Sequence, residues 1–398
     1  MNLADPLVIV VTPKDGSVNR TIAGMAIVAR IGAEAFAAGA RELWVVGDTP
    51  PSLTEQSRDD IARACGSLRL TALSSEEARA RLAGQTGRPL QLISATHLIP
   101  AKAYARLQSE GVLASSGKIV AATAIAGETL PVLGSPAAGD SPAIALDDRE
   151  KATRAIVRDT AKASDGIVSR HLNRPISQRI TTALLMVSDE IQPWQMTLVV
   201  AVVTIAMFFA LILGGAPGLV VGAFLFHTAS VLDGVDGEIA RSAHRSSVRG
   251  AVLDTAVDMA GNLLFILGLT IGLTRLHGIH YAEMGAWAFG AGISGLIAVA
   301  ALTHRIGEYG NFNILKDYYY ERFATGFPAQ VRRVLTRILS RDFFAFGCFV
   351  LTLFGKASLC LWGFTGFMTL WVVLIAAAAP TILRRAATLP TRASPVTT

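Results

Sequence analysis

Two stretches without a single formal charge dictate what this chain can become. Leu198 to Leu232 and Met259 to Thr274 contain no Asp, Glu, Lys or Arg. Runs of this kind suit a hydrocarbon core about 30 Å thick, which takes roughly 20 apolar residues per helix. Six segments read as membrane helices, at about 196–214, 217–240, 250–274, 281–303, 342–355 and 357–383. The fifth is short and needs its flanks to complete a crossing. Gly214-Gly215-Ala216-Pro217-Gly218 reads as a tight turn between the first two. Gly285, Gly290, Gly292 and Gly295 in the fourth favour close helix packing.

Composition averages over two unlike halves. Of 398 residues, 52% are hydrophobic and 17% charged. Residues before about 165 nevertheless carry frequent charges in the manner of a soluble domain, and residues after about 197 do not. The net charge of +6 is too modest to imply a nucleic-acid partner. Its placement says more. Arg241, Arg245 and Arg249 lie between the second and third segments. Arg305, Lys316, Arg322, Arg332, Arg333, Arg337 and Arg341 lie between the fourth and fifth, and Arg384, Arg385 and Arg392 follow the sixth. Only Arg275 and Lys356 fall on the opposite side. The positive-inside rule then predicts an inner-membrane, multi-pass protein with both termini in the cytoplasm. Met1 to Val8 lacks the basic-then-apolar pattern of a signal peptide, so insertion is expected through the internal helices. Cys65, Cys348 and Cys360 offer no metal spacing and no disulfide framework. His227, His244, His277 and His280 show no convergent metal spacing.

Between the charge-free stretches lies an acidic cluster. Asp233 and Asp236 are three residues apart and Asp254 and Asp258 four apart, so each pair shares a helix face. Gly237, Ala240 and Arg241 continue one helix, and Gly250 shares a stripe with Asp254 and Asp258. Carboxylates at a membrane boundary are costly unless they bind a cation or do chemistry. Two helices meeting at their cytoplasmic ends would converge the four acids. An all-oxygen ligand set suits Mg²⁺ or Mn²⁺, and such ions imply a phosphate-bearing substrate. Arg241 is placed to hold a phosphate oxygen.

The spacing D-x2-D-G-x2-A-R-x8-G-x3-D-x3-D, from Asp233 to Asp258, resembles the signature of the CDP-alcohol phosphatidyltransferase family at every fixed position. The resemblance runs from roughly Asn173 to the last membrane helix. It implies transfer of a substituted phosphate from a CDP-alcohol to an acceptor hydroxyl, with release of CMP. It also implies two Mg²⁺ or Mn²⁺ ions held by Asp233, Asp236 and Asp254, with Asp258 as general base and a further ligand. CDP would be bound by Asp233, Gly237, Ala240, Arg241 and Gly250. Arg305, Lys316 and Arg341 are candidates for an acceptor phosphate, although they equally satisfy the positive-inside rule. Membrane lipids and a homodimeric partner are further implications. The donor stays open between CDP-diacylglycerol, which would place the enzyme in phospholipid biosynthesis, and CDP-inositol with an inositol phosphate acceptor. A non-catalytic membrane scaffold is the alternative.

Ahead of the first span, Ser169 to Met186 carries Ile176, Ile180, Leu184 and Leu185 at helical spacing beside basic residues. It reads as an amphipathic helix on the membrane plane. Its Asn173-Arg174-Pro175-Ile176-Ser177 also resembles the family, whose following Pro-Asn-x-x-Thr is here Pro193-Trp194-Gln195-Met196-Thr197.

The first 165 residues alternate strand and helix patterns. Leu7–Val11, Glu42–Asp48 and Leu90–Ser94 read as strands, and Thr21–Ala38, Asp59–Cys65, Ser75–Ala83 and Ala101–Glu110 as helices. This predicts a layered α/β domain with a mainly parallel sheet. The pattern resembles sugar-phosphate nucleotidyltransferases, which are fused to this kind of membrane domain in bifunctional inositol-1-phosphate cytidylyltransferase/di-inositol-phosphate-phosphate synthases. An active domain of that kind needs a glycine-rich loop with cations to hold a triphosphate. Here the loop is Thr12-Pro-Lys-Asp-Gly-Ser-Val-Asn-Arg20, and Ser94-Ala95-Thr96-His97 stands where a metal-binding Asp is expected. Lys14 and Arg20 are either phosphate contacts or solvated loop charges. The expectation is a non-catalytic nucleotidyltransferase-like domain over 1–165, a juxtamembrane helix and linker over 166–195, a six-helix membrane domain over 196–385 and a flexible tail over 386–398. The alternative is a bifunctional enzyme that makes its own CDP-alcohol from CTP.

Overall fold

The computed structural model describes residues 6–12, 17–100, 106–107, 109–137, 143–162, 165–306, 314–323, 325, 330 and 340–388. They fall into two compact units. One holds residues up to 161 with 178–193 and 237–246, and the other holds 162–177, 194–236 and 247 onward.

The first unit is α/β, built on strand β1 (Leu7–Val11). Its unbroken apolar run suits a strand covered on both faces, and Leu7 to Val10 are buried. Val8 and Val10 enter the core beneath helix α1 (Ile27–Ala37), while Leu7 and Ile9 pack with Trp44, Leu73 and Leu90 on the other face. Full burial of each such side chain contributes about 1.5–3 kcal/mol. The remaining strands are β2 (Thr21–Ile22), β3 (Met25–Ala26), β4 (Glu42–Gly47), β5 (Arg69–Ser74), β6 (Pro89–Ser94), β7 (His97–Leu98), β8 (Val112–Ser115), β9 (Lys118–Ile125) and β10 (Ile144–Ala145). The main sheet has the order β5-β4-β1-β6-β9-β8. Its first four strands are parallel, and β9 and β8 add an antiparallel edge.

The helix expected from Thr21 starts only at Ile27. Residues 21–26 instead form the β2–β3 hairpin, whose turn places Ala23 at φ +50° and Gly24 at φ +76°. Asp60 accepts the Ala26 N–H at 2.9 Å, a tertiary bond that local periodicity cannot reveal. Most of the helix expected over Ala101–Glu110 lies outside the described residues.

The second unit is helical. Among the described residues, five helices are long and apolar enough to cross a membrane: Pro193–Leu213, Gly215–Ser242, Val248–His277, His280–Arg305 and Ala357–Arg384. The count of six is corrected here. Arg341–Leu353 is helical, but 13 residues at 1.5 Å each span only about 20 Å. At the expected tight turn, Gly215 takes φ +61°. A Cβ on Gly218 would lie 2.3 Å from the Ala210 carbonyl oxygen, so the turn admits only glycine there. In the fourth helix a Cβ on Gly285 would strike Thr270 and one on Gly295 would strike Trp371, whereas Gly290 faces open space. Phe226 and Phe265 stack at 4.1 Å in the helical core. Cys65, Cys348 and Cys360 are free and buried.

The juxtamembrane segment begins with a π-turn, Ser169–Asn173, and continues as Arg174–Val187. Its buried stripe is Asn173, Ser177, Thr181 and Leu185, while Ile176 is exposed. Leu185 therefore belongs to a mostly polar inward face, not to the apolar stripe expected from spacing alone.

Candidate active site

We label the helices that build the site αA (Gly215–Ser242), αB (Val248–His277) and αC (Arg341–Leu353). αA carries Asp233 and Asp236, and αB carries Asp254 and Asp258. αB starts where Ser247 caps it, its side chain accepting the Gly250 N–H at 3.0 Å. This cap fixes the register of Asp254 and Asp258, four and eight residues further on.

Carboxylate oxygens of Asp233, Asp236 and Asp254 lie within 4.8 Å of one another. Two unit negative charges at 4 Å repel by roughly 4 kcal/mol at an effective dielectric of 20, so three together call for a cation. An all-oxygen set of this charge fits Mg²⁺ or Mn²⁺. Asp236 is the most buried of the three, at 6% exposure, and accepts a hydrogen bond from Thr197 Oγ1 at 2.9 Å.

Asp258 adjoins the triad on the side of Asp233. It is paired with Arg341, whose guanidinium also lies 3.5 Å from Asp233. Arg341 thus bridges αA, αB and αC from one half-buried side chain. Its neighbour Asp342 accepts Asn173 Nδ2 at 2.9 Å and Ser230 Oγ at 2.6 Å, tying the juxtamembrane segment to αA and αC. Gly234 leaves room for that segment as well, because a Cβ there would lie 3.3 Å from Ser177 Oγ and 3.6 Å from an Arg174 nitrogen.

The rest of the motif lies at the end of αA. The open side of Gly237 is taken by the Arg241 guanidinium, 2.9 Å from where a Cβ would sit. Arg241 Nε donates to the Thr160 carbonyl at 3.0 Å. Glu238 is fully buried and accepts Thr181 Oγ1 at 2.6 Å.

Sequence spacing therefore locates the acids, but several partners escaped it. Thr197 ends the altered Pro-Trp-Gln-Met-Thr segment, and its hydroxyl, not the missing Asn, reaches the site. Asn173 and Arg174 were visible as a motif without a partner. Ser230 and Asp342 carried no signal beyond being polar at the ends of apolar segments. Of the acceptor-phosphate candidates whose side chains are described, Arg341 reaches the acids and Arg305 does not. Arg305 is exposed at the end of its helix. Lys316 lies in helix Ile314–Arg322, its side chain outside what the structure describes. Lys14 lies outside the described residues, and Arg20 is exposed.

Residues 191–332 match the CDP-alcohol phosphatidyltransferase family model. A bifunctional IPC transferase and DIPP synthase of Aquifex aeolicus is 34% identical over 178 residues, covering 44% of this chain and 39% of that protein. Proteins of the same description from Archaeoglobus fulgidus and Thermococcus kodakarensis are 37% and 36% identical over 125 and 124 residues, 30% of this chain in each case. These two matches cover 23% and 27% of the relatives' own length, so the chain spans well under half of the curated relatives it matches. The matched region contains the whole motif from Asp233 to Asp258, three of whose acids have carboxylate oxygens within 4.8 Å of one another. Residues 191–332 of this chain are a CDP-alcohol phosphatidyltransferase domain.

Proposed function

We propose that the protein is an integral membrane phosphotransferase that moves a substituted phosphate from a CDP-alcohol to an acceptor hydroxyl and releases CMP. The observation that carries this reading is the convergence of Asp233, Asp236 and Asp254 within 4.8 Å. These three would hold Mg²⁺ or Mn²⁺. Ions held there would supply positive charge to neutralise the diphosphate.

The protein's own groups do the rest. Asp258 takes the proton of the acceptor hydroxyl, and Arg341 orients it through their ion pair. The same Arg341 offers its cationic face to an acceptor phosphate. Gly237, Ala240 and Gly250 would line the cytidine pocket once the Arg241 guanidinium, now against Gly237, turns to the donor phosphates assigned to it. Thr197 holds Asp236 in one rotamer, so the ligand oxygen is positioned before substrate arrives. The basic loops support a cytoplasmic face for the acids, in the inner membrane, and the protein would act as a homodimer.

The names of the relatives make an inositol phosphate the first acceptor to try and CDP-inositol the first donor, with CDP-diacylglycerol as the other. The α/β domain is assigned no nucleotidyl transfer, because Ser94 at the end of β6 and Ala95-Thr96-His97 after it stand where a metal-binding Asp is expected.

The test uses the full chain in detergent micelles with each CDP-alcohol, inositol phosphate and Mg²⁺ or Mn²⁺. Metal-dependent CMP release, abolished by EDTA, is the expected result. A protein that binds the membrane yet releases no CMP from either donor would be a scaffold. Pyrophosphate release from CTP would overturn the assignment of the α/β domain.

A further inference from the structure

The last residues of αA, with the loop that follows, fold as part of the α/β unit, which includes 237–246. This loop joins the helix bearing Asp233 and Asp236 to the helix bearing Asp254 and Asp258. Within that unit it meets the tip of the β2–β3 hairpin. Arg245 Nη2 donates to the Gly24 carbonyl at 3.0 Å, and Arg245 Nη1 donates to the Ile191 carbonyl at 3.0 Å. Asp189 grips the same tip from another side. Its two oxygens accept the Gly24 N–H at 3.0 Å and Thr21 Oγ1 at 2.7 Å, and Arg149 pairs with it at 2.8 Å.

Gly24 is the tightest point. It sits at φ +76°, and a Cβ there would lie 3.0 Å from the Ala243 Cβ and 3.2 Å from the Asp189 carbonyl oxygen. Ala243 is itself buried, at 1% exposure. Beneath the tip, Arg30 donates to the Ile22 and Ala23 carbonyls at 2.8 and 3.2 Å. Burial pushes its guanidinium pKa down to about 10, which still leaves it charged at neutral pH. A charged group donating from below fixes the turn more firmly than a neutral one.

The loop is fixed from its own side too. Ala243 N–H returns to Ile239 and Arg245 N–H to Ala240, at 3.0 and 2.8 Å, closing the end of αA. His244 takes φ +49° to make that turn. A left-handed residue other than glycine costs roughly 1–2 kcal/mol and persists where its surroundings over-determine it.

We propose that the β2–β3 hairpin is a positioning element for the loop between the two acid-bearing helices, with Gly24, Asp189 and Arg245 as its lock. None of the three touches substrate or ion. They hold the end of αA and, through the continuous backbone, the register in which Ser247 starts αB. The α/β domain thereby gains a task that needs no nucleotide chemistry. Only the activity arm of the test rests on the proposed phosphotransfer.

The test uses full-length Asp189→Asn, Gly24→Val and Arg245→Lys in micelles, each checked for folding by thermal melting. Two readouts are taken: trypsin cleavage after Arg241 and Arg249, and CMP release. In Asp189→Asn and Gly24→Val, cleavage should accelerate at least about 10-fold, reporting local opening. Their kcat should fall at least about 10-fold while the donor KM moves less than about 3-fold, separating positioning from binding. Arg245→Lys keeps a cation that reaches one carbonyl and should fall between them and the wild type. If Gly24→Val fails to fold, the isosteric Asp189→Asn decides. A folded Asp189→Asn with wild-type cleavage overturns the lock, and one whose loop opens without loss of kcat overturns its positioning role. If the wild type itself releases no CMP, the phosphotransfer reading fails and the cleavage ratio alone judges the lock.

Discussion

The acid triad and the carboxyl edge of the parallel sheet are both places where a phosphate could be met, and they are made of opposite materials. In the sheet, β1 and β6 are neighbours at the point where strand order reverses, where α/β folds bind ligands. There the polar groups satisfy one another. Ser94 Oγ and Thr96 Oγ1 lie 2.7 Å apart, Thr96 Oγ1 lies 2.9 Å from His97 Nδ1, and Thr12 turns its hydroxyl to the Val46 carbonyl at 3.0 Å. In the helical unit, three carboxylates are brought together, with Arg341 3.5 Å from Asp233. Paired hydroxyls are stable without a ligand. Converging carboxylates are not.

That contrast breaks first at the triad. Asp254→Asn should lower CMP release roughly 1000-fold, because the site loses a ligand and a charge at once. Mg²⁺ or Mn²⁺ should also stop raising the melting temperature of this variant. At 100 times its dissociation constant a bound ion stabilises the wild type by about 2.7 kcal/mol. The double change Ser94→Ala with Thr96→Val at the sheet edge should leave CMP release within about 2-fold, as its groups serve only each other. Equal losses in both variants would mean that the two edges act as one site.

Asp258→Asn comes next. Removing the base should cost roughly 100-fold or more in kcat, within the usual range for a positioned proton acceptor. Donor binding should remain measurable by titration calorimetry, since Asp233, Asp236 and Asp254 keep their geometry. Binding lost together with turnover would make Asp258 a ligand and leave the proton without an acceptor.

The legibility of these two regions differs for a physical reason. The acids were visible because helix periodicity is local: spacings of three and four put side chains on one face whatever else the chain does. The apolar stretches were legible for the same reason, since lipid forces every backbone group to be satisfied within its own segment. What the sequence hid depends on distant partners. The Thr21–Ala26 hairpin has helical periodicity but is held by Asp60 and Asp189, so tertiary bonds override local preference. Arg341 read as one of three acceptor-phosphate candidates that equally satisfy the positive-inside rule, and three-dimensional placement set it against Asp233 and Asp258. The fifth membrane segment was over-read because Phe343 to Phe354 is apolar enough to cross but too short in its helical part.

Thr197→Val tests how far the triad depends on its neighbours. The hydroxyl bonded to Asp236 carries no charge, so the change is close to isosteric and removes only orientation. Loss of such an outer partner typically weakens metal affinity 10- to 100-fold. An increase near the lower figure, about 10-fold in the metal concentration for half-maximal CMP release, is expected. No increase would mean that the buried position of Asp236 alone fixes its rotamer.

The smallest effect belongs to the sheet edge and is read in pH. Burial lowers the His97 pKa, and the carboxylate of Asp147 only partly opposes it. The folded imidazole therefore gives up its proton below the unfolded value of about 6.5. Between the two values the unfolded chain binds more protons, so stability rises with pH there and falls as the pH drops through 6.5. His97→Gln keeps the size and a hydrogen-bonding atom for Thr96 but cannot titrate. Its melting temperature should lose that part of the slope between pH 7 and pH 5.5 and match the wild type at pH 8. Because His97 is half-exposed, solvent screens the effect and the shift should be modest. An unchanged slope would mean that the proton is taken up elsewhere. A slope of the opposite sign would mean that Asp147 holds a charged imidazole, leaving the sheet edge with an unspent cation and erasing the contrast with the acids of the helical unit.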